Sequence, residues 1–214
     1  MKEGGIVLSR LFVYLLLVVD TIHSIHRVFP FRITATSFCF CSSTTSPFFL
    51  YIHTKSEAGL KHLNVGAIIK QHKFYEGRDE QRDSYILDED KLLDYMEAEL
   101  QTTMEDRVGV VADYHSSELF PERWFDLVLV LRTKTEILFD RLTERGYSEK
   151  KRDENMQCEI MQVVLTEARE SYANEIVHEV QSDSIEDMES NVERVKSWIQ
   201  QWIADHTSGD DDDE

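Results

Sequence analysis

Val108-Gly109-Val110-Val111-Ala112 leads into Asp113-Tyr114-His115, and Leu127-Val128-Leu129-Val130-Leu131 leads into Arg132-Thr133. Short, continuous runs rich in Val and Leu suit strands covered on both faces, as in a parallel sheet. Helical patterns surround them. Asp88-Glu89-Asp90 puts acid at a helix start, and Leu92, Leu93, Met96, Leu100 and Met104 then form one apolar stripe. Thr133-Lys134-Thr135-Glu136 has capping-box spacing, predicting Thr133 as the N-cap of a helix that carries Ile137, Leu138 and Leu142 and closes at Gly146. Further helices are predicted over roughly 154–172 and through Met188, Val192, Val195, Ile199 and Trp202, with a short strand at Ile176–Val180 between them. Strands alternating with helices give an α/β fold, a parallel sheet flanked by helices.

The chain has 214 residues, 42% hydrophobic and 10% aromatic, enough for one domain with a sizeable core; only three prolines argue against a disordered chain. Lys and Arg number 23 against 41 Asp and Glu, a net charge of -18. A field of that sign repels phosphate backbones and anionic bilayers. It excludes a nucleic-acid coat protein or a basic membrane binder, and leaves room for a local basic pocket for a nucleotide. Cys39 and Cys41 are too close for an ordinary bridge and Cys158 is remote, so the cysteines form no disulfide framework and point to a reducing compartment.

Charge divides the chain near Lys55–Ser56. Residues 1–55 carry five basic and two acidic groups, and the remainder carries 18 and 39. The reading is therefore an atypical apolar segment over 1–55, an acidic α/β domain over 56–206, and a tail over 207–214 whose Gly209-Asp210-Asp211-Asp212-Asp213-Glu214 run predicts a solvated end. Leu11–Val19 is an uninterrupted apolar run, too short for a bilayer span of about 20 residues. It fits the h-region of a signal peptide, although Asp20 and two histidines follow where a small-residue cleavage site belongs. Scattered Arg and Ser also suit a transit peptide, and a third reading is a segment foreign to the fold, such as a misassigned first exon.

Ligands of an open parallel sheet bind beyond the carboxyl ends of the strands, so the two strand exits are where chemistry is expected. Asp113, directly behind an apolar strand, is of the type that holds Mg2+ or its water against phosphates; a short acid there also simply turns the chain. His115 is placed to orient or deprotonate a water or hydroxyl, or is structural. The second exit opens the helix that ends in Glu144-Arg145-Gly146-Tyr147-Ser148-Glu149-Lys150-Lys151-Arg152, the densest basic cluster of the chain. Such cations match polyphosphate oxygens, and equally complement a helix C-terminus.

Leu63-Asn64-Val65-Gly66, Ile86-Leu87-Asp88-Glu89-Asp90, Asp113-Tyr114-His115, Phe120-Pro121-Glu122-Arg123-Trp124-Phe125, Val130-Leu131-Arg132-Thr133, Arg141-Leu142, Glu144-Arg145-Gly146-Tyr147 and Gln157-Cys158-Glu159-Ile160 occur in this order. Over about residues 56–206 the set resembles the adenylate kinase isoenzyme 6 family, small nuclear adenylate kinases and ATPases linked to small-ribosomal-subunit maturation. The resemblance implies a P-loop NTPase-like fold of the nucleoside monophosphate kinase type. It also implies phosphoryl transfer from Mg-ATP to AMP, ATP hydrolysis, a small-subunit ribosomal protein as partner, no direct contact with nucleic acid or membrane, and residence in nucleus and cytoplasm. By the same resemblance, Asn64, Val65, Gly66 and Lys70 lie in a segment, 64–87, that closes over the monophosphate. Asp113 is the acid that meets Mg2+ through water, His115 is catalytic, and Arg145 contacts ATP from a lid over 144–154.

Three departures bear on that function. The family begins with a strand, a phosphate loop ending in Gly-Lys-Thr-Thr, and a helix, whereas the eight glycines here precede Gly, Ile, Leu, Ala, Arg, Val, Tyr and Asp, never Lys. That loop supplies a backbone N–H cradle, a lysine and a Mg2+-binding hydroxyl. Residues 1–55 thus stand in place of the first strand, loop and helix. This predicts two flanking strands with unpaired edges, with Phe48–Ile52 offering at most a makeshift strand. Second, Ala67 replaces the family's Asp, and Lys70 stands where an arginine meets the monophosphate, losing the bidentate fork. Third, Ser116 replaces a Gly. The two functional readings are therefore an adenylate kinase and ATPase, and a catalytically dead, loop-less variant serving as an acidic interaction module.

Overall fold

The computed structural model describes residues 14–19, 60–79, 84–105 and 109–207. In chain order its elements are β1 (Tyr14–Val19), β2 (Lys61–Asn64), α1 (Val65–His72), β3 (Tyr75–Asp79), β4 (Ser84–Leu87), α2 (Glu89–Glu105), β5 (Val110–Tyr114), a 3-10 turn (Glu122–Trp124), β6 (Leu127–Arg132), α3 (Thr135–Glu144), α4 (Glu149–Ile160), α5 (Val163–Ser171), β7 (Val177–Gln181) and α6 (Ile185–Thr207). Five strands form a parallel sheet in the order β2-β5-β1-β6-β7, and β3 and β4 form a separate antiparallel hairpin.

The centre of the sheet corrects one expectation. β5 and β6 do not face each other across a missing strand, because β1 lies between them. Tyr14 is opposite Val110 and Val18 opposite Tyr114 on one side; Leu15 is opposite Leu127 and Val19 opposite Leu131 on the other. A strand at a central position needs little beyond a short apolar run without Pro or Gly, and Tyr14-Leu15-Leu16-Leu17-Val18-Val19 meets that requirement. The run that matches an h-region in sequence is thus the sheet's central strand. Phe48–Ile52 and residues 208–214 lie outside the described residues.

Strand alternation sorts the core into two layers. Val110, Ala112 and Tyr114 of β5 and Val128 and Val130 of β6 pack with Leu92, Met96, Trp124, Phe125 and Leu165. Val111 and Leu127, Leu129 and Leu131 meet Val192, Val195, Ile199 and Trp202 of α6. The apolar stripe of α6 is buried as its spacing predicts, Met188 included. The stripe of α2 holds through Leu92, Met96 and Leu100, but Met104 is exposed and Thr103 turns inward instead.

Two local readings need correction. Thr133 does not cap α3, which begins at Thr135 behind Lys134 and has no side-chain cap of its own. The Lys134 N–H donates instead to Asp183 Oδ1 at 2.8 Å, an acceptor distant in sequence. The helix predicted over roughly 154–172 is two helices, α4 and α5, separated where Gln162 adopts φ 55°. Gly146 does close α3: at φ 72° its N–H donates to Thr143 O (2.9 Å) while the Tyr147 N–H donates to Leu142 O (3.1 Å), a Schellman arrangement.

Candidate nucleotide site

The sheet order reverses across β1, so the carboxyl ends of β1, β5 and β6 border the crevice where ligands of such sheets bind. Asp113 sits there inside β5, paired with Leu17 on one side and Asn64 on the other. The turn-forming alternative for Asp113 fails, since the residue belongs to a strand and its contacts come from side chains. Asn64 Nδ2 donates to Asp113 Oδ2 at 2.9 Å, and His62 Nε2 lies 3.5 Å from the same oxygen. Asn64 therefore supplies the hydrogen bond to Asp113 Oδ2, and the His62 ring lies beside the same oxygen from the same strand.

Asn64 has a second task. It is the N-cap of α1, its Oδ1 accepting the Ala67 N–H at 2.7 Å. One side-chain amide thus couples the acid of β5 to the helix that opens the segment 64–87. Val65 is wholly buried, backbone included, and Gly66 is half-buried. Lys70 is exposed near the end of α1, and partial burial draws its ammonium below the ordinary lysine value. The rest of the segment is the β3–β4 hairpin, on which the rings of Tyr75 and Tyr85 lie 4.4 Å apart, tilted by 33°.

His115 follows β5 directly, its ring 4.2 Å from that of Tyr114. The loop that carries it is fastened from α5. Tyr172, whose hydroxyl is pushed well above the ordinary tyrosine value by burial, donates to Ser117 O at 2.7 Å. Glu122 Oε1 accepts the Ala173 N–H at 3.0 Å. The Phe120–Phe125 stretch is therefore an anchor: Phe120, Trp124 and Phe125 fill the core and Glu122 clasps the end of α5.

Arg145 is the C-cap of α3, and its guanidinium has no hydrogen-bond or ion-pair partner among the described residues. It stands near Arg141, whose guanidinium is held below its ordinary value first by burial and then by that neighbouring charge. Arg141 itself is committed to the chain: its Nη1 donates to Ser182 O (2.9 Å) and Thr133 Oγ1 (3.2 Å), and its Nη2 to Asp183 O (2.8 Å). The second strand exit is a cleft of about 390 Å3 lined by Arg132, Lys134, Glu136, Glu159 and Glu179 among others. Its cations are matched already. Arg132 donates to Glu159 Oε1 at 2.6 Å and to Glu179 Oε1 at 2.9 Å, and Lys134 Nζ lies 3.1 Å from Asp183 Oδ2.

The structure thus joins Asn64 to Asp113, places His115 two residues further along the chain, and leaves Arg145 on a separate element. Sequence reasoning missed His62 and the internal role of Arg141. His62 shares the alternation of Asn64, two residues on, but only the pairing of β2 with β5 shows what both point at. Among the described residues no group of three or more His, Cys, Asp or Glu side chains converges to hold a metal. Nor, among the described residues, is any helix long and apolar enough to cross a membrane.

Sheet and helices define an α/β domain of P-loop kinase-like fold, and the AAA domain family matches residues 50–162. The chain is similar to the adenylate kinase isoenzyme 6 homologues of Caenorhabditis elegans (47% identical over 149 residues, 70% of this chain and 80% of that protein) and Dictyostelium discoideum (46% over 143 residues, 67% and 79%). It is also similar to the homologue of Drosophila melanogaster, at 40% over 147 residues, 69% and 81%. The chain belongs to the adenylate kinase isoenzyme 6 family. Its backbone also overlaps a shikimate kinase from Bacteroides thetaiotaomicron at TM-score 0.44 and 14% identity, over 88% of this chain and 98% of that one, a likeness too distant to carry an argument.

Proposed function

We propose that this chain is a nucleotide-binding member of its family that keeps the acceptor half of an adenylate kinase and has lost the phosphoryl-transfer reaction from Mg-ATP to AMP. The supporting observation is the Asn64–Asp113 hydrogen bond, which ties the acid at the carboxyl edge of β5 to the cap of the helix beginning the monophosphate segment. Asp113 is the residue to meet a hydrated Mg2+, His115 to meet the acceptor or a water, Asn64, Val65, Gly66 and Lys70 to line the AMP side, and Arg145 to reach phosphate from the lid.

Mg-ATP is a poor fit for these residues. Its phosphates need a backbone N–H cradle, a lysine and a hydroxyl on the metal. No Gly-Lys pair occurs in the chain, and the residue after β1 is Asp20. Loss of a single oxyanion donor already lowers kcat by about 10^2 to 10^3, and a whole cradle is worth more. A remaining role at the small ribosomal subunit, in nucleus and cytoplasm, would rest on the acidic surface, whose charge of -18 suits a basic ribosomal protein.

The test is ADP formation by the purified 214-residue chain with Mg-ATP, with and without AMP. No AMP-dependent ADP above background is expected, and robust AMP-dependent turnover would overturn the reading.

A further inference from the structure

β7 is the last strand of the sheet, and its pairing with β6 runs through Val177–Gln181 without a break in register. The Val128 N–H donates to Ile176 O at 2.8 Å, and the Ser182 N–H donates to Arg132 O at 2.7 Å. The bonded residues of a strand in a parallel ladder alternate, so these two bonds fix the phase. His178 and Val180 bond β6, while Val177, Glu179 and Gln181 turn their N–H and C=O groups away from it. The Gln181 carbonyl accepts from Asn191 Nδ2 at 2.7 Å. Among the described residues no strand pairs with the outer side of Val177 and Glu179. Edge strands are commonly closed by Pro, Lys or a bulge, and β7 carries none of these.

Beside that edge, on the α6 side of the sheet, lies a pocket of about 190 Å3. Leu127, Leu129, Val180 and Val195 line it, with Trp198 partly buried and Arg194 exposed. Side chains of a strand alternate between faces, so a strand laid along β7 would place every second side chain on the α6 side, where this pocket is. Edge and pocket together offer an extended segment backbone partners for affinity and a hole for one side chain. We propose that the outer edge of β7 is a docking site for an extended segment of a basic protein, which adds a strand to the sheet and seats an apolar side chain in the pocket against Trp198. Charges at the edge itself nearly balance, with Arg194 on one face and Glu179 paired to Arg132 and Arg169 on the other. The field of the whole chain therefore selects the partner, and a net charge of -18 draws basic proteins and repels a second copy. Antiparallel pairing of two copies centred on β7 would also set Glu179, its middle residue, opposite its own image.

The test begins with amide exchange on the full chain alone. The Val177 and Glu179 N–H groups should exchange fast while those of His178 and Val180 are protected. Protection of all four would mean that this edge is already covered, by another segment of the chain or by a second copy, and would overturn the proposal. Peptides selected against the full chain from a displayed library of random sequences should then be rich in basic and apolar residues and should slow exchange at Val177 and Glu179. Glu179→Pro removes an outward N–H and no bond to β6, a change that edge strands tolerate. It should weaken the selected peptides by at least about tenfold, whereas Glu179→Gln should hold their affinity within about threefold. Trp198→Ala should weaken them as well, and it decides the matter if Glu179→Pro does not unfold cooperatively. Selected peptides that are mostly acidic, that leave exchange in β7 unchanged, or that bind both variants as tightly as the parent would overturn the proposal, as would a library that yields no binder.

Discussion

Leu17→Pro tests whether β1 completes the sheet. Leu17 lies opposite Asp113 of β5 and Leu129 of β6, with paired neighbours on both sides along the strand. Proline there removes one ladder N–H and strands its former carbonyl acceptor without a partner, which costs about 1–3 kcal/mol. The ring adds steric conflict at a position with no free edge, and the total is about 3 kcal/mol or more. Taking a urea m-value of about 2 kcal/mol/M for a domain of this size, the unfolding midpoint should fall by about 1.5 M. Equilibrium unfolding followed by circular dichroism reads that shift. Amide exchange on the parent chain provides an independent readout: the amides of residues 15–18 should be as protected as those of Val111 and Leu129. An unchanged midpoint together with fast exchange at 15–18 would refute the placement of this strand, and with it the account of how the sheet is completed.

Three further outcomes follow from the packing. Burial, with the charges of Glu118 and Glu170 adding to it, pushes the Glu167 carboxyl from 4.5 up to about 7. The folded chain then holds a proton that the unfolded chain releases, so this group's contribution is full below about pH 4.5 and lost as pH rises through about 7. Glu167→Gln should therefore gain on the parent between pH 5 and 8, by on the order of 1 kcal/mol because the side chain is partly solvated, and a pH-independent difference in urea midpoint would contradict it. Arg132→Met leaves the buried Glu159 carboxylate without its 2.6 Å partner and should cost about 3–5 kcal/mol, most of it recovered by Arg132→Met with Glu159→Leu in a double-mutant cycle. Gly146→Ala meets no atom within 4 Å of the new Cβ, so any loss reports the φ of 72° alone, about 1 kcal/mol by thermal denaturation, and Gly146→Asn should lose less.

What the sequence reveals depends on how far apart the interacting residues lie. β5, β6 and α6 are legible because burial on both faces, or along one stripe, is written into consecutive residues. The Schellman turn at Gly146 is legible for the same reason. The start of α3 is not, because the Lys134 N–H there bonds Asp183, 49 residues away, while local spacing favours a Thr133 cap that does not form. The α4–α5 break is hidden as well: Gln162 carries no sequence mark of a left-handed residue, unlike a glycine. Asp113 announces itself behind an apolar run. Its partners Asn64 and His62 do not, since nothing in the chain says that β2 lies beside β5. β1 is a third case, in which the apolar run is plain but its length suits a strand, a short core element or a targeting segment, and only pairing on both sides decides among them.

That third case bears on function. A central strand is specified loosely, by apolar residues in sufficient number, so many unrelated segments can fill the gap between β5 and β6. A phosphate cradle is specified tightly, by glycines that admit the required backbone, a lysine at one position and a hydroxyl next to it. Replacing the start of such a domain can therefore preserve the sheet while removing the chemistry, because the two make different demands on the same stretch of chain. Tyr14–Val19 satisfies the first demand and the sequence after it does not meet the second. On the acceptor side, Asn64, α1 and Asp113 are joined by side-chain contacts between β2 and β5, although the backbone of Asp113 also pairs with Leu17 of β1. Their local geometry should then persist in Leu17→Pro molecules that remain folded, whereas any variant that separates β2 from β5 should uncap α1 and release Asp113 together.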